Sequence, residues 1–166
     1  MKSNSFIFLF LLCTFSASAF EGDLIDPLKK KKVDLNRRDK YPAGFNLYAL
    51  GPVGLGGVSF DYFIVPKISL ELGAGARNFY PDLGFFVGGK YHFFGNSFLN
   101  TTPYIGVFSG FEYTGDDLRN YNLYVPFGIQ HIKKNHLAWS IEVAYKRDVY
   151  EPSRTFYGGA KIGYRF

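Results

Sequence analysis

Three sets of residues in this chain have types and spacing suited to chemistry. His136, Ser140 and Glu142 lie at even spacing in one alternating run and supply a base, a nucleophile and an acid, the parts of a hydrolytic triad. On a strand, though, His136 and Ser140 stand about 13 Å apart at roughly 3.3 Å per residue, whereas a nucleophile and its base must be within hydrogen-bond reach. Asp61, Glu71 and Lys90 form a second set, two acids and an amine of the kind used in general acid/base catalysis. Opposite charges that replace water as each other's partners inside a filled structure explain these residues more simply. His92 and His131 form the third set. They are solitary histidines near turns, without partners at metal-ligand spacing. No phosphate loop, nucleotide fingerprint or nucleophile elbow occurs. The one cysteine, Cys13, leaves no disulfide framework and no cysteine-based metal site. The residues therefore predict no catalysis, no cofactor and no metal.

The elements that carry these residues repeat with a period of two. Ile68, Leu70, Leu72, Ala74 and Ala76 alternate with Ser69, Glu71, Gly73, Gly75 and Arg77. Such strict alternation marks a strand with two unlike faces. Similar runs cover residues 58–64, 85–93, 104–113, 121–130, 137–146 and 156–166, and a weaker one covers 42–51. Turn signals separate them at Gly51-Pro52, Pro66-Lys67, Pro81-Asp82, Gly95-Asn96, Gly115-Asp116, Lys133-Lys134-Asn135 and Glu151-Pro152-Ser153. Eight strands of about ten residues with short connections are the minimum for a closed transmembrane barrel.

Composition agrees with two-faced strands. The chain has 166 residues, 47% hydrophobic and 20% charged, which excludes wholesale disorder and makes a multidomain enzyme an unsuitable reading. Aromatic residues reach 20%, through 19 Phe, 13 Tyr and one Trp, yet mean hydropathy is only -0.05. Membrane helices would need a far higher mean, and the longest uncharged run after the N-terminus, 41–60, is broken by Pro42, Pro52 and several glycines.

The first 19 residues read as a cleaved secretory signal. Lys2 precedes the apolar run Phe6 to Leu12, and Ala17-Ser18-Ala19 fits the cleavage site. Acylation at Cys13 is disfavoured by the bulky Leu12 before it. Residues 20–41 read as a basic, mostly disordered leader containing Lys29 to Lys32, Arg37, Arg38 and Lys40. A solvated tether is the plain reading of that run, and contact with anionic head groups the alternative. The formal charge of +5 divides into +1 for the signal, +2 for the leader and +2 for the rest, with no recurrent basic stripe that would suit nucleic acid.

The orientation of the two faces separates two different proteins. No Asp, Glu, Lys or Arg falls in the apolar register, while Asp61, Glu71, Arg77, Lys90, Glu112, Glu142, Lys146, Lys161 and Arg165 fall in the other. A soluble lipocalin-like binding barrel would turn the charges outward, and a membrane barrel would turn them inward. The many glycines of the charged register and the Tyr and Phe near the ends of the apolar register favour the membrane. A final strand alternating Ile162, Tyr164 and terminal Phe166 resembles the assembly signal of bacterial outer-membrane proteins. The region 42–166 resembles the small eight-stranded outer-membrane barrels of the OmpA transmembrane-domain and OmpX kind.

That resemblance implies an all-β, eight-stranded antiparallel up-and-down barrel in the cell outer membrane. It also implies a monomer, in contact with outer-membrane lipid and lipopolysaccharide, that reaches the barrel-assembly machinery through its last strand. Small barrels include lipid A deacylases, the enzymatic alternative, but their His-x-Ser-Asn pattern is absent here. Outer loops are expected at 78–83, 114–120 and 147–154, too short for a dedicated adhesin. Inside, Asp61, Glu71, Lys90, Glu112, Glu142, Lys146, Lys161 and Arg165 form a structural ion-pair network. Symmetric counting from the turns pairs Glu71 with Lys90, Glu142 with Lys161, and Asp61 with Glu71. The function expected is structural or surface-related, with a narrow pore for small solutes as the alternative. A pore needs a water path that Tyr104, Phe108 and Tyr124 would close.

Overall fold

The computed structural model describes residues 36–76, 83–97, 99–114, 117–149 and 154–166; the expected signal, most of the leader, Arg77 and parts of four connections lie outside them. Eight antiparallel strands close into one barrel. They are β1 (Ala43–Gly51), β2 (Gly54–Val65), β3 (Ile68–Ala76), β4 (Leu83–His92), β5 (Thr101–Thr114), β6 (Asp117–Ile132), β7 (Leu137–Asp148) and β8 (Arg154–Arg165). Each strand pairs with its neighbour in sequence, and β8 pairs with β1 from Gly44↔Arg165 to Ala49↔Ala160. Closure leaves no unpaired edge, the liability that an open sheet of such strands would carry.

Alternation decides which side chains face in. Along β3, Ser69, Glu71 and Gly75 are buried, whereas Ile68, Leu70 and Leu72 are exposed. Along β1, Asn46 and Tyr48 point in, and Phe45 and Leu47 point out. The charged register therefore lines the lumen and the apolar register forms the outer wall. Small residues make room for large ones inside. A Cβ on Gly75 would overlap the hydroxyl of Tyr48 and press on the carbonyl of Gly56. Replacing Gly75 by Val is expected to destabilise the barrel by about 1–3 kcal/mol, read as a lower urea midpoint in micelles.

Irregularities mark where the ladder has to bend. Pro126 has no N–H to donate, and the β5–β6 pairing is interrupted between Ile105↔Phe127 and Phe108↔Tyr124, where Pro126 stands. Register shifts occur between Phe63 and Val65 and between Glu112 and Tyr113. The second lets this hairpin run on to Thr114↔Asp117, so most of the loop expected at 114–120 is strand. The loop expected at 147–154 is likewise shortened at both ends, because Arg147 pairs with Arg154.

Ahead of β1, Arg37–Lys40 form one helical turn, α1. Asn36 caps it, its side chain accepting from Arg38 N–H at 3.0 Å. The leader expected through residue 41 thus ends earlier, and its last residues are folded against the barrel. Asn36 Nδ2 donates to Gly95 O at 2.6 Å, and Arg37 donates to Ile132 O at 2.6 Å. Arg38 is 1% exposed. Its guanidinium donates to Thr102 Oγ1 at 2.6 Å and Leu99 O at 3.2 Å, and lies 5.9 Å from the centre of the Phe63 ring. Burial first, then neighbouring Arg165 and Arg37, pull its pKa down to about 10, which leaves it charged at neutral pH. Replacing Arg38 by Met keeps the stem but loses these bonds. The expected cost is about 1–3 kcal/mol, with faster protease cleavage near residues 36–41.

Candidate functional site

Chemistry in this barrel would have to occur in its lumen, where three charged groups are stacked along the axis. At the end that holds α1, Arg165 Nη1 donates to Asp61 Oδ2 at 2.7 Å, and Asn46 Nδ2 donates to Asp61 Oδ1 at 2.7 Å. The remaining guanidinium donors go to Tyr41 O at 3.0 Å and Pro42 O at 2.7 Å. The planar fork of Arg165 thereby ties the last strand to the chain entering the first, and its face covers the Phe63 ring at 4.5 Å.

The middle group is built on Glu71. Lys90 Nζ reaches Glu71 Oε2 at 2.6 Å, and Lys161 Nζ reaches Oε1 at 3.0 Å. One carboxylate thus serves two ammonium groups. The excess positive charge is spread over aromatic faces: Lys90 lies 4.9 Å from the centre of the Tyr104 ring, and Lys161 5.4 Å from that of Phe108. Glu142 accepts from Tyr124 at 2.6 Å and from the Tyr104 hydroxyl, with Lys161 farther off at 3.9 Å.

The third group lies at the opposite end. Glu112 Oε1 accepts from Lys146 at 2.7 Å and from Asn122 Nδ2 at 3.1 Å, and Lys146 is 3.7 Å from Asp148.

The register differs from symmetric counting. Asp61 does lie opposite Glu71, but Glu71 faces Gly88, and Lys90 faces Ser69. Glu142 faces Gly159, and Lys161 faces Ser140. Each hairpin is displaced by two residues, so the faces are kept and the partners change. Glu71 still meets Lys90, diagonally. Lys161 instead bonds across the lumen to Glu71, and Glu142 is satisfied by two tyrosines.

Between the middle and far groups, rings cross the interior. Tyr48 packs edge-on to Phe86 at 5.6 Å, Phe86 to Phe108 at 5.8 Å, and Phe108 to Tyr124 at 6.1 Å. Val53, from the β1–β2 turn, is fully buried with them. Counting Arg38 and Asp148 with the lumen, Arg38, Lys90, Lys146, Lys161 and Arg165 match Asp61, Glu71, Glu112, Glu142 and Asp148 in number. Among the described residues the two signs are mixed, five of each, unlike the single-sign rings that select ions in pores.

The triad candidates are not assembled. His136 precedes β7 with φ of 71°, so strand parity does not govern it. Its ring stacks on Tyr164 at 5.3 Å and packs at a tilt against Tyr41 at 4.1 Å, and its Nδ1 is bonded to Arg165 O at 2.9 Å. Ser140 is buried on the inner face beside Lys161. His131 stacks on Trp139 at 5.3 Å, and His92 lies in the lumen near Ser69 Oγ at 3.3 Å. Among the described residues, no three His, Cys, Asp or Glu side chains gather as a metal site. Ile162, Tyr164 and Phe166 are exposed together on the outer wall of the last strand.

Sequence reasoning did not find Arg38, Asn46 or the two tyrosines on Glu142 as partners of the charged groups. Tyr104 and Tyr124 carried a signal, their inward parity. Arg38 carried none, because it is one of several basic residues in a polar stretch. No known protein family, curated protein or solved structure matches this chain.

Proposed function

We propose that this chain is an integral outer-membrane β-barrel with a structural or cell-surface role, a lumen filled by its own side chains and no catalytic activity. One observation carries the reading: the faces are inverted relative to a water-soluble barrel. Phe45, Leu47, Leu72, Phe85, Val87 and Ile162 are all more than half exposed, while the described lumen residues include buried charges of both signs. A continuous apolar wall of this extent is an aggregation hazard in water and matches the lipid-facing band of a membrane barrel. One polar pair on that wall is internally satisfied. Ser109 Oγ and the Tyr121 hydroxyl bond each other at 3.0 Å, as groups in hydrocarbon must. Tyr62, Tyr91, Phe93, Phe94 and Tyr164 ring the end that holds α1, the position of an interfacial girdle.

The barrel works as a monomer in contact with outer-membrane lipid and lipopolysaccharide. The row Ile162, Tyr164 and Phe166 is the recognition edge for the assembly machinery before β8 closes on β1. Detergent-free fractionation of a double-membrane cell tests the reading. The expected result is recovery in the outer-membrane fraction, with unboiled protein migrating differently from boiled on a gel. A soluble periplasmic product overturns it. Planar-bilayer recording should be silent, and steady single-channel steps would replace the structural role by transport of small solutes.

A further inference from the structure

We propose that a groove on the outer wall, across the β8–β1 pairing, seats one acyl chain of an anionic glycerophospholipid whose head-group phosphate is held by Lys40 and Lys133. The site rests on the membrane reading of that wall and gives the wall a preferred lipid.

Two outward rows of the register build the groove. Leu137, Tyr164 and Phe45 stand side by side on β7, β8 and β1, and Ile162, Leu47 and Val58 stand side by side on β8, β1 and β2. Together they line a groove of about 360 Å³, with the paired residues Asn46 and Gly163 between the two rows. The next outward row is Ala160, Ala49 and Gly56, so the wall stays low toward the middle of these strands. The volume lies at the small end of the range of about 300–1,000 Å³ for ligand sites. A lining of aliphatic side chains and aromatic rings suits a methylene chain.

The end of the groove nearest α1 is basic. Lys133 N–H donates to Leu137 O at 2.8 Å, so this exposed lysine stands beside a lining residue. Lys40 Nζ lies 5.1 Å from the centre of the Tyr41 ring, Tyr41 packs against His136 at 4.1 Å, and His136 stacks on Tyr164 at 5.3 Å. A row of rings thus joins Lys40 to the groove. Arg37 donates to Ile132 O at 2.6 Å and fixes α1 beside the same β6–β7 turn. Lys40, Lys133 and Lys134 are exposed on α1 and this turn, against one exposed acid, Asp39. Lysine stems lie along an apolar wall while their ammonium groups stay in the head-group layer. Cations at one end of an apolar groove fit an amphiphile with a negative head. They do not fit the wall of a second copy of this chain, whose apolar register has no acid to meet them.

Trp139, the one tryptophan of the chain, lies opposite Ile162 and reports on the groove. The test is quenching of its fluorescence in the full chain folded into vesicles of phosphatidylcholine and phosphatidylglycerol, with one or the other lipid brominated along its acyl chains. Phosphatidylglycerol should reach Trp139 with about five times the affinity of phosphatidylcholine, the effect of roughly one lysine near an anionic head group. That preference should vanish in the double variant Lys40→Gln, Lys133→Gln and in about 0.5 M salt. Val58→Phe, which fills the groove and keeps both lysines, should lower it. Equal quenching of the wild type by the two lipids overturns the site and leaves the lipid-facing wall standing, whereas no quenching by either overturns wall and site together. A preference unchanged in the double variant also overturns the site, because the attraction then comes from other cations such as Lys29 to Lys32. A preference unchanged by Val58→Phe overturns it too, because head groups are then held without the groove.

Discussion

Replacing Glu71 by Met is expected to lower the unfolding free energy of the barrel by about 3–5 kcal/mol, the usual cost of removing one partner from a buried ion pair. The effect belongs at the upper end because this carboxylate serves both Lys90 and Lys161, whose side chains are each only 4% exposed. Without Glu71, two ammonium groups repel each other in the interior. Aromatic faces offset part of this, and Glu142, with its tyrosine bonds, is 3.9 Å from Lys161 alone. Urea unfolding in micelles measures the loss. A companion variant gives the sign of the whole group. Replacing Glu71, Lys90 and Lys161 together by apolar residues of similar volume should recover most of the stability, because no charge is then stranded. An unchanged midpoint for the single variant would refute the shared counter-ion.

Leu72→Arg should cost about 2–4 kcal/mol when folding is measured into lipid vesicles, as for a lipid-facing position at the bilayer midplane. Leu72 lies at the middle of β3, is 58% exposed, and pairs with Phe60 on one side and Val87 on the other. On a water-facing surface the same change would fall within about 0.5 kcal/mol of zero. The two environments thus predict outcomes that urea titration separates. Leu83, at the start of β4 near the far rim, is equally exposed. Its replacement by Arg should cost only about 0–1 kcal/mol, because penalties on the lipid face fall toward the interface. Equal, small effects at both positions would mean that the outer wall faces water.

These two predictions draw on different levels of information. The outward position of Leu72 and the inward position of Glu71 were both legible in the sequence, because a strand's backbone turns successive side chains to opposite faces whatever it pairs with. Eight such runs with turns between them were legible for the same reason. Pairing was less so. Asp61 does face Glu71, because the turn at Pro66-Lys67 is short and a register shift between Phe63 and Val65 takes up the one residue by which strict counting about its centre would miss. The β3–β4 and β7–β8 connections are longer. Misplacing a turn centre by one residue moves every partner by two, which keeps the face and changes the neighbour. Glu71 and Lys90 still meet, because two residues along a strand is within a lysine's reach.

Contacts made across the lumen had no local signal at all. Lys161 on β8 reaching Glu71 on β3, Tyr104 on β5 reaching Glu142 on β7, and Arg38 entering beside Thr102 join residues that no hairpin brings together. Alternation is a property of the backbone and is written into the order of residues, so it settled the two faces and where charge would reside. Partnership inside a closed barrel depends on how far each strand slides before β8 meets β1, and only the closed tertiary structure decides that.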